Sequence, residues 1–224
     1  MKPTFVQKLL SYVSDVPLEH TGSDYSEELH VVLSRGRMQL LTENAIYSYG
    51  DLYSNYERAF RKLGLERFDI QNMLVLGFGL GSIPFMLEKR FKKNYHYTGV
   101  EIDETVIYLA DKYVTQYLES PIEMVQADAF AYTIQCQQEF DIVCVDLFID
   151  DVVPSKFESE DFLFYLKKVL GEKGILMYNR LYLTKKDKKA TDHFYNNIFL
   201  KVFPKGGYSD VQGNWILTNQ PALF

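Results

Sequence analysis

The chain has 224 residues, 47% hydrophobic and 24% charged, an ordinary globular composition with room for one well-buried domain and a small appendage. Its net charge of −6 argues against a broad nucleic-acid-binding face, which needs clustered Lys and Arg; the local basic run at Lys185, Lys186, Lys188 and Lys189 reads as a solvated loop or helix start. Two cysteines, Cys136 and Cys144, make neither a disulfide framework nor a zinc site, and no stretch is apolar enough for a signal core or a membrane span. A cytoplasmic protein without a membrane partner is the expectation.

In chain order, residues 3–14 carry an amphipathic helical pattern. Three short β-like runs follow, Leu29–Leu33, Met38–Leu41 and Ala45–Tyr47, with turn residues at Ser34–Arg37 and Thr42–Asn44 between them. They predict a small antiparallel meander. So few strands are marginal alone, so the meander should pack on the main domain or on another subunit, which leaves a homodimer open. Residues 54–63 then read as a helix with Tyr56, Ala59, Phe60 and Leu63 on one face. This divides the chain into an N-terminal unit, 1–70, and a main domain, 71–224.

From residue 73 strands and helices alternate. Strands at 73–78, 95–101, 122–126, 140–146 and 174–180 are followed by helices at 81–92, 104–118, 129–135, 159–170 and 187–202. Residues 207–212 and 214–219, with Gly213 between them, suggest a terminal β-hairpin. Parallel strands require crossovers, so the fold class is α/β: a doubly wound, Rossmann-like, mostly parallel seven-stranded sheet ending in an antiparallel hairpin. Ligands of such sheets sit beyond the carboxyl ends of the strands.

The run Met73-Leu-Val-Leu-Gly-Phe-Gly-Leu-Gly81 carries most of the functional information. It reads as a buried strand turning tightly into a helix, with glycines where the turn needs positive φ and where a ligand approaches bare backbone. Helix N-terminal amides would face that ligand with partial positive charge. The spacing is Gly-x-Gly-x-Gly, not the Gly-x-Gly-x-x-Gly of dinucleotide folds, and no Gly-Lys-Ser/Thr follows, which favours a cofactor without a pyrophosphate. Glu101 closes the next strand at the place expected for grasping a ribose by its hydroxyls. Asp128 and Asp146 follow the next two apolar runs, at the same sheet rim. Asp128 suits a helix N-cap as well as contact with an adenine amino group.

Gly77-Phe-Gly-Leu-Gly81, Glu101-Ile-Asp103, Gln126-Ala-Asp128 and Phe140-Asp-Ile-Val-Cys-Val-Asp146 resemble class I S-adenosylmethionine-dependent methyltransferases. The chain is most similar to their spermidine synthase-like branch, the polyamine aminopropyltransferases and relatives, over roughly residues 29 to 220. The resemblance implies an S-adenosylmethionine-binding domain over 71–224. It also implies a donor site made by Gly77, Phe78, Gly79, Gly81, Glu101, Ile102, Asp128, Ala129 and Asp146, with Asp146 and Asp150 nearest the chemistry. The family loop is of the Asp-Ser-x-Asp-Pro type. Here Asp146 matches its first acid, whereas Asp150 matches the second only through a one-residue insertion and no Pro follows it. Tyr47 stands where the family has Gln, and Tyr56-Glu-Arg-Ala59 lacks the family's His-Glu pair.

A sulfonium donor reacts by in-line displacement, so the protein contributes mainly alignment, which can supply roughly 7–11 kcal/mol. A carboxylate with a reference pKa near ~3.9 is a poor base for an ammonium near ~10. Asp146 is therefore expected to orient the acceptor or the sulfonium before it acts as a base. Asn179 sits at a strand end facing the same rim. His20, His30, His96 and His193 lack metal-ligand spacing, and no metal is expected. Three readings stay open. One is a methyltransferase using S-adenosylmethionine on a small acceptor, an amine among the candidates. Another is an aminopropyltransferase using decarboxylated S-adenosylmethionine and a diamine. The last is a non-catalytic fold relative.

Overall fold

The computed structural model describes residues 2–43, 45–149 and 152–220; Asp150 lies outside them. Helix α1 (Phe5–Leu10) opens on a capping box: Gln7 N donates to Thr4 Oγ1 (3.2 Å), and Thr4 N to Gln7 Oε1 (2.9 Å). It buries none of its side chains. Four antiparallel strands then pair in chain order, β1 (Val16–Thr21), β2 (Leu29–Ser34), β3 (Arg37–Leu41) and β4 (Ile46–Ser48). The sequence pattern suggested three. The additional strand, β1, contains Pro17, has no fully buried residue and lies at the sheet edge with its register broken between Pro17 and Glu19, so neither composition nor alternation marks it.

Helix α2 (Ser54–Leu63) ends at Gly64, whose φ of 65° gives the left-handed C-cap that releases the chain. The main domain follows as β5 (Asn72–Leu76), α3 (Ser82–Lys89), β6 (His96–Glu101), α4 (Glu104–Tyr113), β7 (Ile122–Gln126), α5 (Ala129–Gln135), β8 (Phe140–Val145), α6 (Glu160–Val169), β9 (Leu170–Leu181), α7 (Lys185–Phe194), β10 (Gly207–Asp210) and β11 (Asn214–Thr218). The helix expected over 187–202 is interrupted: α7 passes into a π-helical turn, Tyr195–Phe199, and a last turn, Leu200–Val202. Asp103, Asp128 and Ser159 cap α4, α5 and α6 through side-chain oxygens that accept from first-turn amides.

The seven-stranded sheet has the order β10-β11-β9-β8-β5-β6-β7, parallel from β9 to β7 and antiparallel at β11 and β10. Alternate residues of each central strand point to opposite faces. Met73, Val75, Ile142, Cys144, Ile175 and Met177 pack with α2, α3, α4 and with Leu29, Val31 and Leu40 of the N-terminal sheet. Leu74, Leu76, Val143, Val145, Leu176 and Tyr178 pack with α6 and Phe194 of α7. The N-terminal sheet therefore shares a core with the main domain. From β5 the chain winds to β6 and β7 on one side, then returns to β8 and β9 on the other. The carboxyl end of β5 is thus the topological switch point, where a crevice opens between diverging loops.

Candidate functional site

The segment after β5 lies in that crevice. Gly77, Gly79 and Gly81 have φ of 81°, 54° and 81°, the left-handed region where a side chain is strained. Gly77 has a second constraint, because a Cβ there would overlap the carbonyl oxygen of Asp146. The glycine turn and the loop after β8 pack backbone to backbone. Phe78 departs from the expected donor-site set: its ring is buried in the core beneath the turn, filling the space left by the missing side chains of Gly81 and Gly99. Gly81 is likewise buried and stands back from the cavity wall as the N-cap of α3.

Glu101, at the end of β6, turns its carboxylate toward the glycine segment. Its Oε2 accepts from Gly79 N (3.0 Å), and its Oε1 from Ile102 N (2.9 Å) and Asp103 N (3.3 Å). Burial raises its pKa, and the three backbone amides pull it back. With roughly four lone-pair sites on a carboxylate, these bonds leave Oε2 with accepting capacity toward the cavity. Asp128 uses Oδ1 to cap α5, accepting from Phe130 N and Ala131 N (both 3.0 Å), and Oδ2 to pair with Lys156. Burial works against its charge, but Lys156 and the two amides hold its pKa below the ordinary value.

Asp146 ends β8 among polar side chains from three other elements. Asn179 of β9 donates from Nδ2 to Asp146 Oδ1 (2.9 Å), and Asn214 of β11 donates from Nδ2 to Asn179 Oδ1 (2.9 Å). The Tyr53 hydroxyl, just ahead of α2, faces the same carboxylate. Burial pushes Asp146 up to about 6, opposed by Asn179 and Tyr53. Burial and then the facing Asp146 push the Tyr53 hydroxyl well above its ordinary range. Tyr56, one turn on, donates to the carbonyls of Val145 (3.0 Å) and Met177 (3.1 Å), fixing the ends of β8 and β9 beneath the site.

These groups face one cavity of about 420 Å³. Gly77, Gly79, Glu101, Ile102, Asp128, Ala129 and Asp146 line it, so of the expected set within the described residues only Phe78 and Gly81 do not. Asn179 lines it as well. Sequence reasoning missed Tyr53, Asn55, Lys156 and Asn214, which come from three separate segments, and the roof formed by Tyr25 and Ser26. That roof is the loop between β1 and β2. Ser23 anchors it by donating to Asp103 Oδ2, and without β1 nothing in the sequence points to it.

Residues 56–204, more than half of the chain, match the model of the Spermine/spermidine synthase domain. A "Probable polyamine aminopropyl transferase" of Bifidobacterium longum (strain NCC 2705) is 27% identical over 106 residues, 47% of this chain and 23% of that protein. An "eEF1A lysine and N-terminal methyltransferase homolog" of Drosophila pseudoobscura pseudoobscura is 29% identical over 146 residues, 61% of this chain and 21% of that protein. The match thus spans less than a quarter of either relative. Among solved structures, spermidine synthase from Thermotoga maritima superposes with a TM-score of 0.68 at 18% identity, covering 91% of this chain and 72% of that one. Human methyltransferase-like protein 13 in complex with SAH gives 0.59 at 20%, covering 74% and 82%. At such identities these likenesses establish the fold.

Proposed function

This chain belongs to the spermine/spermidine synthase domain family, and from that membership we propose that it is a transferase moving a methyl group from S-adenosylmethionine to an amine. The observation that carries the reading is the gathering of the glycine turn, Glu101 and Asp146 around one cavity at the sheet's switch point. The residues suit such a donor. Glu101 has accepting capacity left for a ribose hydroxyl, Ile102 and Ala129 offer apolar walls for a base, and Asp128 with Lys156 stands at its edge. When bound, the donor supplies an electrophilic methyl carbon on a positively charged sulfur. The aminopropyltransferase and the lysine and N-terminal methyltransferase among the relatives both name amines as acceptors.

In this reading Asp146 holds the acceptor nitrogen in line with that carbon. Asn179 and Tyr53 fix the carboxylate's rotamer, so little reorganisation accompanies reaction. An acid near 6 is a weak base for an ammonium near ~10.4, so the amine loses its proton to water and Asp146 contributes orientation and charge. Beyond Asp146 the described lining of the β8 side continues as Leu147, Phe148, Ile149 and Pro154. Among the described residues this stretch of wall offers a second ammonium, as in a diamine, only apolar side chains, against which it would lose hydration. On that ground the reading places methyl ahead of aminopropyl transfer.

The test is incubation with each donor and a panel of amines. S-adenosylhomocysteine should accumulate from S-adenosylmethionine. Release of methylthioadenosine from the decarboxylated donor, without S-adenosylhomocysteine from the other, would overturn methyl transfer in favour of aminopropyl transfer.

A further inference from the structure

Strand pairing on the N-terminal sheet brings together three residues that the linear sequence keeps apart. His20 of β1 is the direct cross-strand partner of His30 on β2. Glu28 lies two residues before His30, just ahead of β2, and its carboxylate reaches the same side of the sheet as the two rings. The two imidazole rings stack in parallel with centroids 4.3 Å apart. Both Nε2 atoms converge on one oxygen, Glu28 Oε2, at 2.6 Å from His20 and 3.0 Å from His30. One ligand atom from each residue lies within 4.8 Å of the other two. Among the described residues this is the one cluster of His, Cys, Asp or Glu with such convergence.

Two imidazoles and a carboxylate on one side, open to water on the other, form a donor set suited to a zinc-class ion, which takes nitrogen at roughly 2.0–2.1 Å and oxygen at roughly 2.0–2.2 Å. All three side chains are partly exposed, so small rotations can bring them to those distances without disturbing a core. The strand backbones already hold the two histidines in register, which lowers the ordering cost of binding. The plain alternative is a surface ion pair, which contributes little because both partners stay in contact with water.

Position gives the cluster a consequence. It sits at the neck of the β1–β2 loop, beside the last pair of the ladder, Thr21 with Leu29. That loop carries Tyr25 and Ser26 over the cavity, and within the loop the Ser23 hydroxyl accepts from Tyr25 N (3.2 Å) and Ser26 N (3.1 Å). We propose that His20, Glu28 and His30 bind a divalent transition-metal ion of the zinc class, and that the ion staples the neck of the loop roofing the cavity. The inference stands on the N-terminal sheet and does not depend on which group the transferase moves.

The experiment titrates the full, metal-free chain with zinc chloride by calorimetry and then follows chymotryptic cleavage at Tyr25 with and without zinc. One ion per chain is expected, with cleavage slowed by zinc. The double variant His20→Ala, His30→Ala should lose the binding while keeping the wild-type circular dichroism, since both rings are outside the core. Glu28→Gln should weaken binding at least about tenfold, the scale on which even a ligand's supporting group acts. Absence of binding by the wild-type chain would overturn the site, as would unchanged binding by the double variant, which retains His96 and His193. Binding that leaves cleavage at Tyr25 unaltered would overturn the staple.

Discussion

Asp146 and Glu101 are both half-buried acids on the cavity wall whose pKa is raised, yet they are held differently, and the difference predicts different phenotypes. Asp146 moves from an ordinary value of 3.8 to about 6 because it is desolvated with only neutral partners. The native state then holds this proton more tightly than the unfolded chain. The group's contribution to stability is therefore greatest when protonated and declines as pH rises from ~4 through about 6. Asp146→Asn should be more stable than wild type near pH 7, on the order of 1–3 kcal/mol, with the advantage gone near pH 4. Denaturant titrations at the two pH values check this. The same variant should turn over slowly at every pH, whereas the wild-type rate should climb through about pH 6 as the carboxylate ionises. A variant that retained the wild-type pH profile would remove Asp146 from the chemistry. Glu101 instead holds three backbone amides, Gly79 N of the glycine turn and Ile102 N and Asp103 N just after its own strand. Glu101→Ala should weaken binding of S-adenosylhomocysteine by roughly 1.5–3 kcal/mol, the scale of hydrogen bonds to a charged group. It should also lower the melting temperature of the ligand-free chain. Calorimetry and thermal melts read the two effects separately.

At the scale of elements, the glycine turn works because two backbones meet there without side chains. The constraint is graded along it. Gly77→Ala combines a φ of 81° with overlap on the Asp146 carbonyl, so it must displace either the turn or the loop after β8. Gly79→Ala has a φ of 54° and a nearest neighbour, the Tyr47 carbonyl oxygen, at 3.4 Å. The expected losses are about 1–2 kcal/mol of backbone strain for Gly79→Ala and distinctly more for Gly77→Ala. Denaturant midpoints rank them, and equal midpoints would show that packing against Asp146 does not matter. Some elements were legible because their local chemistry is strong. β5 and β8 carry buried apolar runs, and α4 and α5 begin at Asp residues that cap them. β1 was not, because an edge strand needs no apolar alternation. The π-turn after α7 was also illegible, since Tyr195–Phe199 still has helical composition and only the packing of Phe194 and Phe199 sets its winding.

For the whole molecule, the division near residue 70 does not separate two cores. Leu29, Val31 and Leu40 of the small sheet belong to the same buried cluster as Tyr56, Phe78, Ile83 and Met86. β1 is tied to α4 as well, where Glu19 accepts from Tyr113 Oη (2.6 Å) and Lys112 Nζ (3.0 Å). The chain should therefore unfold in a single calorimetric transition, with calorimetric and van't Hoff enthalpies in agreement. Two resolved transitions would show that the sheet is held on loosely enough to melt alone. The same attachment places the roof over the cavity, so an independent N-terminal unit would leave the donor site open on that side.

By itself, the sequence determined the parallel α/β domain, its glycine turn and the strand-end acids Glu101, Asp128 and Asp146, because periodicity, positive-φ glycines and strand-terminal carboxylates are local signals. It also gave α2 its correct bounds. Tertiary structure alone decided that Phe78 belongs to the core, that Asn214 reaches Asp146 through Asn179, that Tyr25 and Ser26 roof the cavity and that His20 meets His30. Each of those facts depends on which strands and loops become neighbours, and that is fixed by the summed burial of two sheet faces rather than by any one segment.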